Sequence, residues 1–126
     1  MMYESTFSIV GKPISVVVLN LGLDLSLSIS GGDRPHIGAV ALAVPRPSSS
    51  DPKVISATTS VIAVTGHKED VIATHVADRL AASLGCIVTV SCGIHFDKIN
   101  TQILENLQNQ IETEIEQIKE WYELRK

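Results

Sequence analysis

Leu19-Asn20-Leu21-Gly22-Leu23-Asp24-Leu25-Ser26-Leu27-Ser28-Ile29-Ser30 is the stretch whose reading decides the fold class. Apolar side chains take every odd position, and polar or small ones every even position. That period of two belongs to a strand with one buried and one solvated face. Asn20–Gly22 interrupts the pattern as either a hairpin turn or a bulge. The β-branched run Ile14–Leu19 just before it is itself strand-like, so a turn or sharp bend is expected. Tyr3–Val10 reads as a first strand, closed by the turn signal Gly11-Lys12-Pro13. Strands that follow one another on short turns pair antiparallel, which points to an α+β fold and not to a doubly wound parallel sheet.

Downstream, Gly31-Gly32-Asp33-Arg34-Pro35 is a connection that regular structure does not easily cross. Ile37–Val44 is expected as a buried strand, Pro45–Lys53 as a surface loop, and Val54–Val64 as a further strand. A helix is expected from Thr65–Gly66, with Val71, Ile72, Val76, Leu80 and Leu84 on one stripe and Gly85 as its stop. Ile87–Cys92 reads as a buried strand, so 54–92 has the make-up of one parallel crossover. The last helix is expected to use Asp97 as N-cap and to bury Ile99, Ile103, Leu107, Ile111, Ile115, Ile118 and Tyr122. At 1.5 Å per residue it would reach roughly 40 Å, and so long an apolar stripe often packs on another subunit. The expected architecture is one domain over 1–126: a small, mostly antiparallel β-sandwich or sheet with two helices.

Hydrophobic residues make up 44% of the chain and aromatics only 4%, so its core must be built from Val, Ile, Leu and Ala. A net charge of −4 argues against a general nucleic-acid binder, which would carry a basic face. The acidity is concentrated late, with seven carboxylates against four Lys/Arg in residues 97–126. No apolar run approaches the roughly 18–20 residues that cross a bilayer. The start MMYESTFS lacks the basic and then apolar order of a secretory signal. Cys86 and Cys92 lie too far apart along one expected strand to be bridged, so reduced thiols and a cytoplasmic location are expected.

Three connections combine glycine with histidine at strand ends: Gly31–His36 (GGDRPH), Thr65–Asp70 (TGHKED) and Cys92–Asp97 (CGIHFD). In the first, Gly31 and Gly32 let a chain approach an anion, and Arg34 can hold phosphate through paired N–H groups. A plain turn fixed by Pro35 explains the same letters equally well. His36, directly before a buried strand, is harder to assign to an ordinary surface. In the second, a helix starts whose free N–H groups favour an anion; Thr65 and Gly66 resemble anion-binding turn residues, and Lys68, next to His67, adds charge. The alternative is an ordinary start with Glu69 and Asp70 complementing the dipole. In the third, His95 suits a metal ligand, an acid/base group or a stacking partner, and Asp97 caps the helix. Cys92 is either a thiol made reactive by a helix N-terminus or, on the simpler reading, a small buried residue. His75 is expected to be a partly buried packing residue of the first helix.

His36, His67 and His95 are in number enough for an open zinc site, but no two have metal-ligand spacing. The chain has no G-x-S-x-G elbow, no P-loop and no G-x-G-x-x-G signature. Loops friendly to phosphate, without a nucleophile or general-base set, fit a protein that binds or carries its ligand better than an enzyme.

Gly31–Ala41 (GGDRPHIGAVA) resembles the GG-x-x-PHIGAVA motif of the LpdD-type prenylated-flavin chaperones. Gly66–Asp70 (GHKED) and Gly93–Ile99 (GIHFDKI) are similar to that family's G-H-K-E-D and G-I-H-x-D-x-I segments. The resemblance implies a proteasome-assembly-chaperone-like α+β fold that forms homodimers. It also implies a bound prenylated FMN or FMN and service to UbiD-type decarboxylases, in delivery or maturation of the flavin. The site residues it implies are Gly31, Gly32, Arg34, His36, Gly66, His67, Lys68 and His95. Two other readings stay open: a metal-dependent enzyme acting on flavin through the same histidines, and a pure protein-assembly chaperone.

Overall fold

The alternation of residues 19–30 folds back on itself at Gly22. In the computed structural model, which describes residues 1–64 and 69–125, β2 (Lys12–Leu21) and β3 (Asp24–Gly32) pair antiparallel across a two-residue turn. Gly22 takes φ 69°, as the first position of a hairpin turn of this kind favours. This turn sets Val18 opposite Leu27 and Leu19 opposite Ser26. Cross-strand partners share a face, so even positions of β2 lie with odd positions of β3. Ile14, Val16 and Val18 are therefore buried with Leu25, Leu27 and Ile29, while Leu19, Leu21 and Leu23 are exposed. The apolar stripe is real only beyond the turn.

β1 (Met2–Ile9) joins β2 through Val10–Gly11 alone, so Lys12 and Pro13 belong to the strand and not to the turn. β4 (Ala39–Pro47) pairs antiparallel with β5 (Ile55–Ala63) and runs into the segment expected as a loop. Pro45 and Pro47 are tolerated because pairing of β4 with its second neighbour ends at Ala43. The true connection is short and is closed by the Ser48 N–H donating to the Val54 carbonyl at 2.7 Å.

β6 (Val88–His95) is inserted between β3 and β4, parallel to the first and antiparallel to the second, giving the order β1-β2-β3-β6-β4-β5. Two antiparallel steps make β5 and β6 run the same way, so α1 (Asp70–Leu84) closes the expected crossover with β4 in between. The fold is α+β: one six-stranded, mostly antiparallel sheet and two helices. Cys86 precedes β6 and Cys92 lies within it; both are buried and unbridged.

Both helices cover one face of the sheet. α1 buries Ala73, Val76, Ala77, Leu80, Ala81 and Leu84 and stops at Gly85 in the left-handed region. Small side chains on both partners, Ala39, Ala41 and Ala43 of β4 among them, let helix and sheet approach closely. Val71, expected on the stripe, is 69% exposed. α2 (Thr101–Leu124) is capped by Asn100, whose side chain accepts from the Ile103 N–H at 2.8 Å. Asp97 is not the cap, and Ile99 lies outside the helix and is exposed. Ile103, Leu107, Ile111, Ile115, Ile118 and Tyr122 are all buried within this one chain. Burying each such side chain stabilises by about 1.5–3 kcal/mol, so the stripe needs no second subunit. Buried Glu114 fastens α2 to β1 by accepting from the Tyr3 hydroxyl at 3.1 Å and the Ser5 hydroxyl at 2.5 Å. No helix among the described residues is long and apolar enough to cross a membrane.

Candidate functional site

Because β3 and β6 run parallel, their C-terminal ends lie at one edge of the sheet, where antiparallel β4 begins. Two of the glycine–histidine connections therefore meet: Gly32 stands opposite His95. The Asp33 N–H donates to the His95 carbonyl at 2.6 Å, and the Gly38 N–H to the Cys92 carbonyl at 2.9 Å. Glycine is required here for backbone packing. A Cβ on Gly32 would collide with the His95 carbonyl, one on Gly31 with the Pro13 carbonyl, and one on Gly93 with the His36 carbonyl. Strand-to-strand contact thus accounts for Gly31 and Gly32 without reference to a ligand.

The side chains at this edge form a connected set. Arg34 Nη2 lies 3.2 Å from His95 Nε2, and the same ring nitrogen lies 3.1 Å from Asp97 Oδ1. His36 places Nδ1 3.2 Å from the Arg34 carbonyl and Nε2 2.9 Å from Glu69 Oε1. The two imidazoles meet edge to face, with centroids 6.5 Å apart. Arg34, Pro35, His36, Ile37 and His95 line a cleft of about 380 Å³. Beneath them Asp33 ties the loops together: Oδ2 accepts the Asp97 N–H at 2.9 Å and Oδ1 meets Lys12 Nζ at 3.1 Å. The Asp97 N–H first, and then Lys12, hold the Asp33 carboxyl below the usual aspartate range.

Two residues have roles that the sequence reading assigned elsewhere. Glu69 was expected only to complement a helix dipole, yet it is buried and reaches back to His36. Asp97 was expected to cap α2, yet it orients His95. A carboxylate two residues beyond a histidine, as in His95-Phe96-Asp97, was the available signal for the second. Nothing local marks the first, because the Glu69–His36 contact joins distant segments.

The remaining candidates are placed as follows. Gly66, His67 and Lys68 lie outside the described residues, as does the expected helix start at Thr65–Gly66. Among the described residues, no three His, Cys, Asp or Glu side chains come together in a way that would hold a metal ion. Cys92 is fully buried, and burial pushes its thiol up to about 12, so it is a packing residue and not a nucleophile. His75 is not a packing residue: it is exposed and bonds Glu112 of α2, which also accepts from Arg79 at 2.9 Å.

A guanidinium and two imidazoles around one cleft suit an anionic, planar group more than an apolar or cationic one. Among the described residues, those lining it carry no hydroxyl or thiol nucleophile. The model of one protein family, described as the prenylated flavin chaperone LpdD-like domain, matches residues 10–123 of the 126. No curated protein matches the chain. The chain belongs to the prenylated flavin chaperone LpdD-like family.

Proposed function

We propose that this family member binds prenylated FMN at the Arg34–His36–His95 cleft and delivers it to, or supports its maturation in, a UbiD-type decarboxylase. The observation that carries the reading is the convergence of Arg34, His36 and His95 on one cleft beside exposed Ile37. The cleft is at the small end of ligand pockets, which span about 300–1,000 Å³, so it suits one end of a flavin nucleotide. Arg34 is the phosphate anchor in this reading, with His36 and His95 flanking it. Gly31 and Gly32 shape the loop, and Gly66, His67 and Lys68, which precede α1 in sequence, complete the ligand-binding set in this reading. The bound flavin supplies the decarboxylase's cofactor, and this chain has no turnover of its own on aromatic acids.

The reading includes a cytoplasmic homodimer. The sheet face away from the helices supports it, since Val40, Leu42, Val44 and Ile62 are all at least 42% exposed there. The test is titration of the purified protein with FMN and prenylated FMN, oxidised and reduced, repeated with Arg34→Ala and His36→Ala. Saturable binding of the prenylated form, weakened about tenfold or more in Arg34→Ala, is expected for loss of a charge-assisted pair of about 1.5–3 kcal/mol. Absence of flavin binding by the folded protein would rule the proposal out.

A further inference from the structure

The two histidines of the cleft differ in how their ring nitrogens are claimed. His36 faces oxygen acceptors on both sides: the Arg34 carbonyl at Nδ1 and Glu69 Oε1 at Nε2. A backbone carbonyl can only accept, so His36 carries hydrogen on Nδ1 and its orientation is fixed. His95 is claimed twice at a single atom. Arg34 Nη2 has only hydrogens to offer and needs a lone pair on Nε2. The Asp97 carboxylate has only lone pairs to offer and needs a hydrogen there. The separations, 3.2 and 3.1 Å, do not favour either claimant. An imidazole nitrogen has one in-plane site, holding a hydrogen or a lone pair, so only one partner is satisfied at a time.

We infer that Arg34 and Asp97 compete for His95 Nε2, and that Asp97 is the positioning residue that frees Arg34 for an anionic ligand. In one state Nδ1 carries the ring hydrogen, Nε2 accepts from Arg34, and the guanidinium is held against the ring. In the other the hydrogen sits on Nε2 and is donated to Asp97, and Arg34 turns to the anion. The exchange moves one hydrogen between the two nitrogens through solvent, so the ring's proton count is unchanged. Among the described residues, the other charged or titratable neighbours are Asp33, which is bonded to the Asp97 N–H, and His36, edge-on at 6.5 Å. The inference rests on the reading of Arg34 as the phosphate anchor, and it specifies how that anchor is held when no ligand is bound.

The test is long-range ¹H–¹⁵N correlation on the histidine rings of the full chain, with pH raised until the ring signals stop moving. His95 is assigned from the signal lost in His95→Gln. Arg34→Ala should move Nε2 toward the hydrogen-bearing type, and Asp97→Ala should move it toward the lone-pair type. Inorganic phosphate or FMN added to the unaltered protein should move it the same way as Arg34→Ala. A purely structural Asp97 would leave the ring hydrogen where it is. If the two substitutions leave Nε2 unmoved, or move it in one direction, the competition is overturned. Opposite movements with no FMN binding would keep the competition and defeat the flavin reading alone.

Discussion

The Glu69 carboxylate lies 2.9 Å from His36 Nε2, so a buried acid just ahead of α1 fixes a ring on the loop between β3 and β4. Glu69 also crowds Gly38, where an added Cβ would stand 2.5 Å from Oε2. Replacing it removes an orienting bond and leaves a small void. Glu69→Ala should destabilise the fold by about 0.5–1.5 kcal/mol, the net worth of one hydrogen bond to a half-buried ring. Glu69→Gln, which can still meet the ring, should lose less. Urea unfolding of the two variants decides it, and equal stability of Glu69→Ala and the unaltered chain would refute it.

Gly93 supports the same loop sterically. Its Cβ position is filled by the His36 carbonyl, a backbone atom that cannot swing aside. Gly93→Ala should cost at least the roughly 1–3 kcal/mol typical of overpacking a tight core, and should displace His36. Ser91→Ala, on the same strand and only half-buried, is the control expected to stay near neutral. A Gly93→Ala protein as stable as the control would show that the contact relaxes freely.

Val10 is the only non-glycine residue with positive φ among those described, at 46°, and it shares a two-residue turn with Gly11 at 76°. A β-branched side chain is ill suited to that conformation, whereas Asn-Gly is the favoured pair for such turns. Val10→Asn should therefore stabilise by about 0.5–1 kcal/mol, the usual gain from correcting turn chemistry. An unchanged or lower midpoint in thermal unfolding would count against it.

Asp33 predicts an acid-side weakness. The Asp97 N–H and Lys12 lower its folded-state pKa, so its contribution is fully present above the unfolded aspartate value of about 4. That contribution is lost as pH falls through the lower folded value. The stability gap between the unaltered chain and Asp33→Asn should therefore be constant from neutral pH to about 5 and narrow at lower pH. Thermal unfolding of both proteins from pH 7 to 2.5 measures it. A gap that widens on acidification would reverse the sign and refute the role.

Cys92 should resist alkylation in the folded state. It is completely buried and burial pushes its thiol up to about 12, so little thiolate is present at neutral pH. Treatment with iodoacetamide at pH 8 should label Cys92 only after denaturation, as peptide mass analysis would show. Rapid native labelling of Cys92 would contradict the packing role.

The sequence carried the elements more clearly than their assembly. Strands, helix faces and the Gly85 stop follow from local periodicity, which is why Leu25, Leu27 and Ile29 were legible as core. Leu19, Leu21 and Leu23 look identical on paper, but a two-residue turn reverses parity and sends them to solvent. Asp97 and Asn100 are both good caps by residue type, but Asn100 caps α2 while Asp97 bonds His95. The meeting of Gly32 with His95 depends on a parallel pairing between distant strands, for which no local letter exists. The same holds for Glu69 and His36.

The place of β6 in the middle of the sheet has a consequence for how the molecule is made. A growing chain can form the β1–β2–β3 meander and the β4–β5 hairpin early, since each is built from neighbours in sequence. Among the described residues, these two pieces are joined in the sheet through β6, whose residues 88–95 are synthesised after all the other strands. Until then they are separate, each with an unpaired inner edge of the kind that invites wrong partners. Closing that seam brings His95 to Arg34, so the cleft is assembled in the same step as the completed sheet.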